Sequence, residues 1–144
     1  MSADDFNDAL EQFFRAMRAA RLKPGPLPGD LTPAQLVLLL PLLEPEHAGG
    51  CTVRVLAESA GVASPTATRT LDGLERDGII TRRPSETDRR SVLVSLTERG
   101  HGLLLEALEA RRAARAALYA RLSPDEQAEA ERILRRLTEI IRSI

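Results

Sequence analysis

The chain has one cysteine, two histidines and a single lysine among 144 residues, and each shortage removes a kind of chemistry. A lone Cys51 excludes an intrachain disulfide and any cysteine-pair metal site, and in a reducing compartment such a thiol reads first as a small core residue. His47 and His101 lie far apart, one in a loop and one at the start of a helix, and are read as no ligand set. A nucleophile elbow, a phosphate-binding glycine loop and zinc spacing are all missing. Neither an enzyme nor a bound metal or cofactor is therefore expected. No apolar run approaches the roughly 18 residues that suggest a membrane span, and the acidic start MSADDF is unlike a secretory signal. With 43% hydrophobic and 28% charged residues, a soluble cytoplasmic protein without membrane partners is expected. A basic excess is lacking too: the formal net charge is −1, whereas nucleic-acid-binding domains are usually basic. Distribution offsets the total, because four arginines fall between Arg82 and Arg90 while Asp4, Asp5, Asp8 and Glu11 make the N-terminus acidic.

What the chain does have is concentrated between Val53 and Gly100. VRVLAESAGV reads as a short helix with Gly61 in the following turn, ASPTATRTLDGLERDG as a second helix, and IITRRPSETDRRSVLVSLTERG as a hairpin. Ser64 before Pro65 predicts an N-cap with proline at the first helical position, so that the helix starts at Pro65. Ala67, Leu71 and Leu74 recur at helical spacing as an inner stripe, with Thr66, Arg69, Thr70 and Gly73 opposite. Gly78 is predicted as a left-handed stop that brings Ile79 onto Leu74. Ile79–Arg83 and Ser91–Leu96 are rich in β-branched and apolar residues and read as an antiparallel pair around the segment Pro84–Asp88. Arg82, Arg83, Arg89 and Arg90 gather at its tip. The pattern is that of a winged helix-turn-helix.

A helix face of small hydroxyl side chains beside an arginine-tipped loop suits duplex DNA. The helix can enter the major groove, with threonines on thymine methyls and Arg69 on guanine or phosphate. The loop can enter the adjacent minor groove, whose negative potential attracts arginine. Candidate DNA-binding residues are Ser64, Thr66, Thr68, Arg69 and Thr70 on the helix, and Arg82, Arg83, Asp88, Arg89 and Arg90 in the wing. The plainer alternative is a solvated helix and hairpin, but capped helix, turn, stop and basic wing in this order favour DNA. The run from Ser64 to Gly100, with its Asp88-x-Arg90 element and LTERG, resembles the MarR family of transcription regulators, and the likeness extends over essentially the whole chain. That resemblance implies that the first half of the run is the recognition helix, that Arg90 reaches the minor groove, and that Asp88 steadies the wing.

Elsewhere, residues 3–22 predict an amphipathic helix with Phe6, Leu10, Phe13, Phe14 and Met17 on one face. LKPGPLPGD, residues 22–30, is predicted as a loop. Thr32, Pro33 and Gln35 make a capping box before the apolar run 36–40, and Pro41 predicts a kink or early stop. Residues 44–52 connect onward, with Cys51 and Thr52 available as a third strand beside the wing. Thr97 is expected to cap a helix to about Leu122. Ser123, Pro124 and Glu126 start another, whose apolar positions Ile133, Leu134, Leu137, Ile140, Ile141 and Ile144 run to the end. The fold expected is mainly α with a small β-hairpin wing (α+β), a single domain over residues 1–144. Within it, residues 32–100 form the DNA-binding lobe, and the helices over 3–22 and 101–144 form a dimerisation region. The apolar stripes at both ends predict a two-fold homodimer, presenting two recognition helices roughly 34 Å apart to a near-palindromic site.

Function follows as a sequence-specific transcriptional regulator, a repressor released by a small ligand. The resemblance implies a pocket between the dimerisation helices and the DNA-binding lobe that takes an aromatic or phenolic effector. Phe13, Phe14, Met17, Arg18 and Arg21 are its candidate lining, with arginine as a carboxylate partner; the plainer reading of the same stripe is core packing. Two alternatives stand beside this one. The same dimer could be switched by oxidation of Cys51, although family members that sense oxidants generally carry that thiol in the first helix. Or the chain could be a protein-interaction module that has lost DNA binding.

Overall fold

The computed structural model describes residues 2–21 and 27–144, with Arg21 described by its backbone alone. The chain divides into two compact units, residues 1–107 and 108–144.

In the first unit α1 (Ala3–Arg21) leads; of the expected loop, residues 22–26 lie outside the described residues, as does Leu22 of the expected helix. Pro28–Asp30 is a single 3-10 turn. In α2 (Pro33–Leu39) Thr32 and Gln35 complete the expected box: the Gln35 amide donates to Thr32 Oγ1 at 3.1 Å, and the Thr32 amide to Gln35 Oε1 at 2.9 Å. The helix stops before Pro41, as the missing amide requires, and continues as a 3-10 turn over Leu40–Leu43. A second such turn, Pro45–His47, leads to β1 (Cys51–Thr52). Thr52 then caps α3 (Val53–Ala60) through the Val55 amide at 3.3 Å, and Gly61 closes it at φ 67°.

The second helix of the pair, α4, runs Ser64–Arg76. It starts one residue earlier than the sequence predicts: Ala63 occupies the cap position, no side chain caps the end, and Ser64 lies inside the first turn. At the other end the expected stop forms in full. Gly78 sits at φ 72°, the Ile79 amide donates to the Leu74 carbonyl at 2.9 Å, and the Gly78 amide to Glu75 at 3.1 Å. Committing the Ile79 amide to that stop shifts the next strand by one residue, to β2 (Ile80–Pro84). Its partner β3 (Val92–Leu96) pairs antiparallel from Ile80 opposite Leu96 to Pro84 opposite Val92. Cys51 and Thr52 add the third strand opposite Val94 and Leu93, for an order β1-β3-β2.

Leu36 and Leu39, Leu56, Ala67, Leu71 and Leu74, Ile79 and Ile80, and Val94 close over one another with almost no exposure. The first turns of α5 (Glu98–Tyr119) contribute Leu104 and Ala107. Burying this set supplies about 1.5–3 kcal/mol per large side chain, and it fixes α3, α4 and the sheet as one body. Thr97 caps α5 as expected by accepting from the Gly100 amide at 2.9 Å.

The second unit holds the rest of α5, which ends at Tyr119 rather than near Leu122, and α6 (Pro124–Arg142). The Ser123–Glu126 box is complete, at 3.3 and 2.8 Å. Gln127 Nε2 donates to the carbonyls of Tyr119 and Leu122 at 3.2 and 3.1 Å, which ties the start of α6 to the turn before it. Leu134, Ile140, Ile141 and Ile144 stay exposed, Leu134 at 63%. Among the described residues no helix is long and apolar enough to cross a membrane.

Candidate nucleic-acid interface

Because Ala67, Leu71 and Leu74 are pinned in the core, α4 turns its other side out. Ser64, Thr66, Thr68 and Arg69 are exposed and Thr70 is half-buried. Thr70 donates its hydroxyl to the Thr66 carbonyl at 3.1 Å, so its methyl is the part left to meet a ligand. The uncapped start leaves the first-turn amides without a side-chain acceptor, and Pro65 removes one of them. Such a helix end attracts an anion.

The wing loop is braced from within. Ser85, buried at 8% exposure, accepts from the amides of Thr87 and Asp88, both at 3.3 Å. Asp88 accepts from the Arg90 amide at 3.0 Å and from the Ser91 hydroxyl at 2.9 Å. The carboxylate thus holds the backbone at Arg90 and leaves the guanidinium groups of Arg89 and Arg90 exposed. With Arg69, they make no hydrogen bond or ion pair to the described residues.

The four wing arginines separate into two kinds. Arg82, on the side of β2 that carries buried Ile80, reaches α4: Nη2 is 2.6 Å from Asp72 Oδ1 and Nε 3.0 Å from Glu75 Oε2. Its guanidinium is held charged by the Glu75 hydrogen bonds first and Asp72 second. Arg83 donates from Nη2 to the Gly49 carbonyl at 2.6 Å. Both therefore join the wing to the lobe, and Arg89 and Arg90 are the pair with free heads. Sequence reasoning grouped all four because it could not see that Asp72 and Glu75, three apart on α4, share the face toward β2. Thr68, Arg82, Arg83, Pro84, Val92 and Val53 surround a cleft of about 440 Å³ between α4 and the wing.

Of the residues expected around an effector, Phe13 and Phe14 lie half-exposed with ring centroids 5.9 Å apart at 57°. Met17 is partly buried and Arg18 exposed; the Arg21 side chain lies outside the described residues. Cys51 is buried at 3% exposure in β1. Burial pushes its thiol up, with the Glu44 carboxylate adding to the effect and the Thr52 amide partly offsetting it. Thiolate, the form that reacts with oxidants, is thereby disfavoured.

Residues 31–92 match the MarR family. Over 102 residues the chain is 35% identical to the transcriptional repressor MprA of Escherichia coli, covering 71% of this chain and 58% of the relative. Over 80 residues it is 41% identical to an organic hydroperoxide resistance transcriptional regulator of Bacillus subtilis, covering 56% of this chain and 52% of the relative. The chain thus spans a little over half the length of these curated relatives. Its fold is similar to the crystal structure of RV1404 from Mycobacterium tuberculosis, with a TM-score of 0.74 at 28% identity over 97% of this chain and 94% of the other.

Proposed function

The chain belongs to the MarR family, and from that premise we propose that it is a DNA-binding transcriptional repressor. It acts as a homodimer on a near-palindromic site and lets go when a small ligand binds. The observation that carries the reading is the pairing of an outward, hydroxyl-lined α4 with two unengaged arginines, Arg89 and Arg90, on a loop that Asp88 braces. In this reading the open first turn of α4 meets a phosphate. Thr66, Thr68, Arg69 and Thr70 read base edges in the major groove, with Ser64 beside them at the phosphates. Arg89 and Arg90 enter the minor groove next to it. Arg82 and Arg83 set the angle of the wing.

Release by a ligand suits the cleft of about 440 Å³ between α4 and the wing, since a molecule seated there would disturb both reading elements at once. A thiol switch at Cys51 has less support, because the sulfur is buried and kept protonated.

The test is binding to an inverted repeat taken from DNA upstream of the gene, at several salt concentrations. Log K should fall linearly with log salt. Arg90→Ala should weaken binding by roughly 1–3 kcal/mol and lower the salt slope by about 1, and Thr68→Ala should change sequence preference more than affinity. Binding that ignores salt, or an Arg90→Ala protein equal to the parent on its best site, would contradict the reading and favour a protein-interaction module.

A further inference from the structure

Neither histidine lies on the proposed DNA face, and the fold brings both to the wall of one cleft. A cleft of about 400 Å³ in the first unit is lined by His47, from the 3-10 turn Pro45–His47, and by His101, from the first turn of α5. Glu44 and Glu98 share its wall, and no lysine or arginine is among its lining residues. Glu44 precedes the turn in extended backbone, Pro45 fixes the first φ, and the His47 amide closes the turn onto the Glu44 carbonyl at 2.9 Å. That geometry gathers three side chains: Glu44, Glu46 and His47 each bring one ligand atom to within 4.8 Å of the others. His47 Nε2 is 3.8 Å from Glu44 Oε2.

We propose that Glu44, Glu46, His47 and His101 form a binding site for a divalent transition cation of the zinc class. Two carboxylates and two imidazoles make a borderline donor set that favours zinc over the harder calcium and magnesium. Zinc holds such atoms at about 2.0–2.2 Å, so the Glu44, Glu46 and His47 ligand atoms must draw in from a spacing of up to 4.8 Å, and His101, which lies outside that group, must swing in from the wall of the same cleft. The exposed glutamates and His101 are free to do that. A bound cation would fasten the segment entering β1 to the segment leaving β3, two strands already paired through Cys51 and Val94.

The site does not depend on DNA binding and is tested without it. Untagged full-length protein is stripped with a chelator and titrated with Zn²⁺ by equilibrium dialysis, and with Co²⁺ by visible absorption. One equivalent per chain is expected, with the intense bands of four-coordinate cobalt and a higher unfolding temperature in zinc. His47→Ala and His101→Ala should each lower the affinity by at least about tenfold, and Glu98→Gln should change it little. Circular dichroism of the metal-free variants should match the parent, because none of these side chains is buried. Absence of stoichiometric zinc at about 100 μM, or zinc held equally well by His101→Ala, overturns the proposal.

Discussion

Gly100 lies where α5 begins, pressed against the strand-side end of α4. A Cβ built there would fall inside the Ile79 carbonyl group, with the carbon at 2.9 Å and Ile79 Cα at 3.2 Å, and all of it is backbone that cannot step aside. Three bonds hold the approach: Gly100 amide to Thr97 Oγ1 at 2.9 Å, Thr97 amide to the Ile79 carbonyl at 3.0 Å, and Thr97 hydroxyl to the Gly78 carbonyl at 2.6 Å. Gly100→Ala should therefore lower stability by about 3 kcal/mol, since overpacking against backbone has no relaxed alternative. Gly102, one step on in the same helix, meets nothing within 4 Å. Gly102→Ala should stabilise by about 0.5–1 kcal/mol through helix propensity alone. Urea midpoints of the two variants should move in opposite directions; a shared direction would refute the close approach. Nothing in the run LTERGHG distinguishes these two glycines, because what separates them is a contact with the backbone of Ile79, in the turn between α4 and β2.

At the scale of elements, Arg82 is the joint between α4 and the wing. Its two carboxylate partners both lie on α4, so Arg82→Ala frees the wing and leaves Asp72 and Glu75 as uncompensated negative charges beside the DNA face. Its partly exposed ion pairs contribute about 1 kcal/mol or less to stability. The expected signature is DNA binding weakened several-fold with the salt slope of the parent, because no phosphate contact is lost. A slope reduced by about 1 would instead make Arg82 a phosphate ligand. This joint was not legible in the sequence, whereas most element ends were. Thr32 with Gln35, Ser123 with Glu126, and Gly78 act within one turn, so the residues that decide each end stand next to it. Ser64 is the exception: Ser-Pro reads as a cap, but the helix takes Ser64 into its first turn and uses Ala63. Side-chain direction was harder. Four arginines in a nine-residue stretch look like one cluster, and only the alternation along β2 sends Arg82 to α4 while the braced loop holds Arg89 and Arg90 out. The histidines are likewise far apart in sequence, and the fold, not the spacing, brings both to the wall of one cleft.

At the scale of the whole molecule, the formal charge of −1 is compatible with DNA binding because of where the charges sit. Arg82 is already balanced by two carboxylates, so on the proposed DNA face the unbalanced positive charge is that of Arg69, Arg89 and Arg90. Three such groups give a modest electrostatic hold, and in the proposed dimer two chains on adjacent half-sites would multiply it by the effective concentration of the second. Each unit taken alone exposes apolar surface that would serve the proposed pairing. α1 exposes Phe6, Phe13 and Phe14 at about half their surface, and α6 exposes Leu134 at 63% and Ile141 at 69%. Because Leu134 and Ile141 are largely exposed in a single chain, Leu134→Glu with Ile141→Glu should cost the isolated chain little, within about 0.5 kcal/mol each. In a dimer the same changes place charge in an apolar seam, at several kcal/mol. The double variant should therefore keep the helical content of the parent and sediment as a monomer at micromolar concentration. Its affinity for an inverted repeat should drop by about 10²–10⁴, with affinity for a single half-site nearly unchanged. A variant that still sediments as a dimer would move the seam away from the outer face of α6, and one that loses half-site affinity as well would mean that pairing shapes the reader itself.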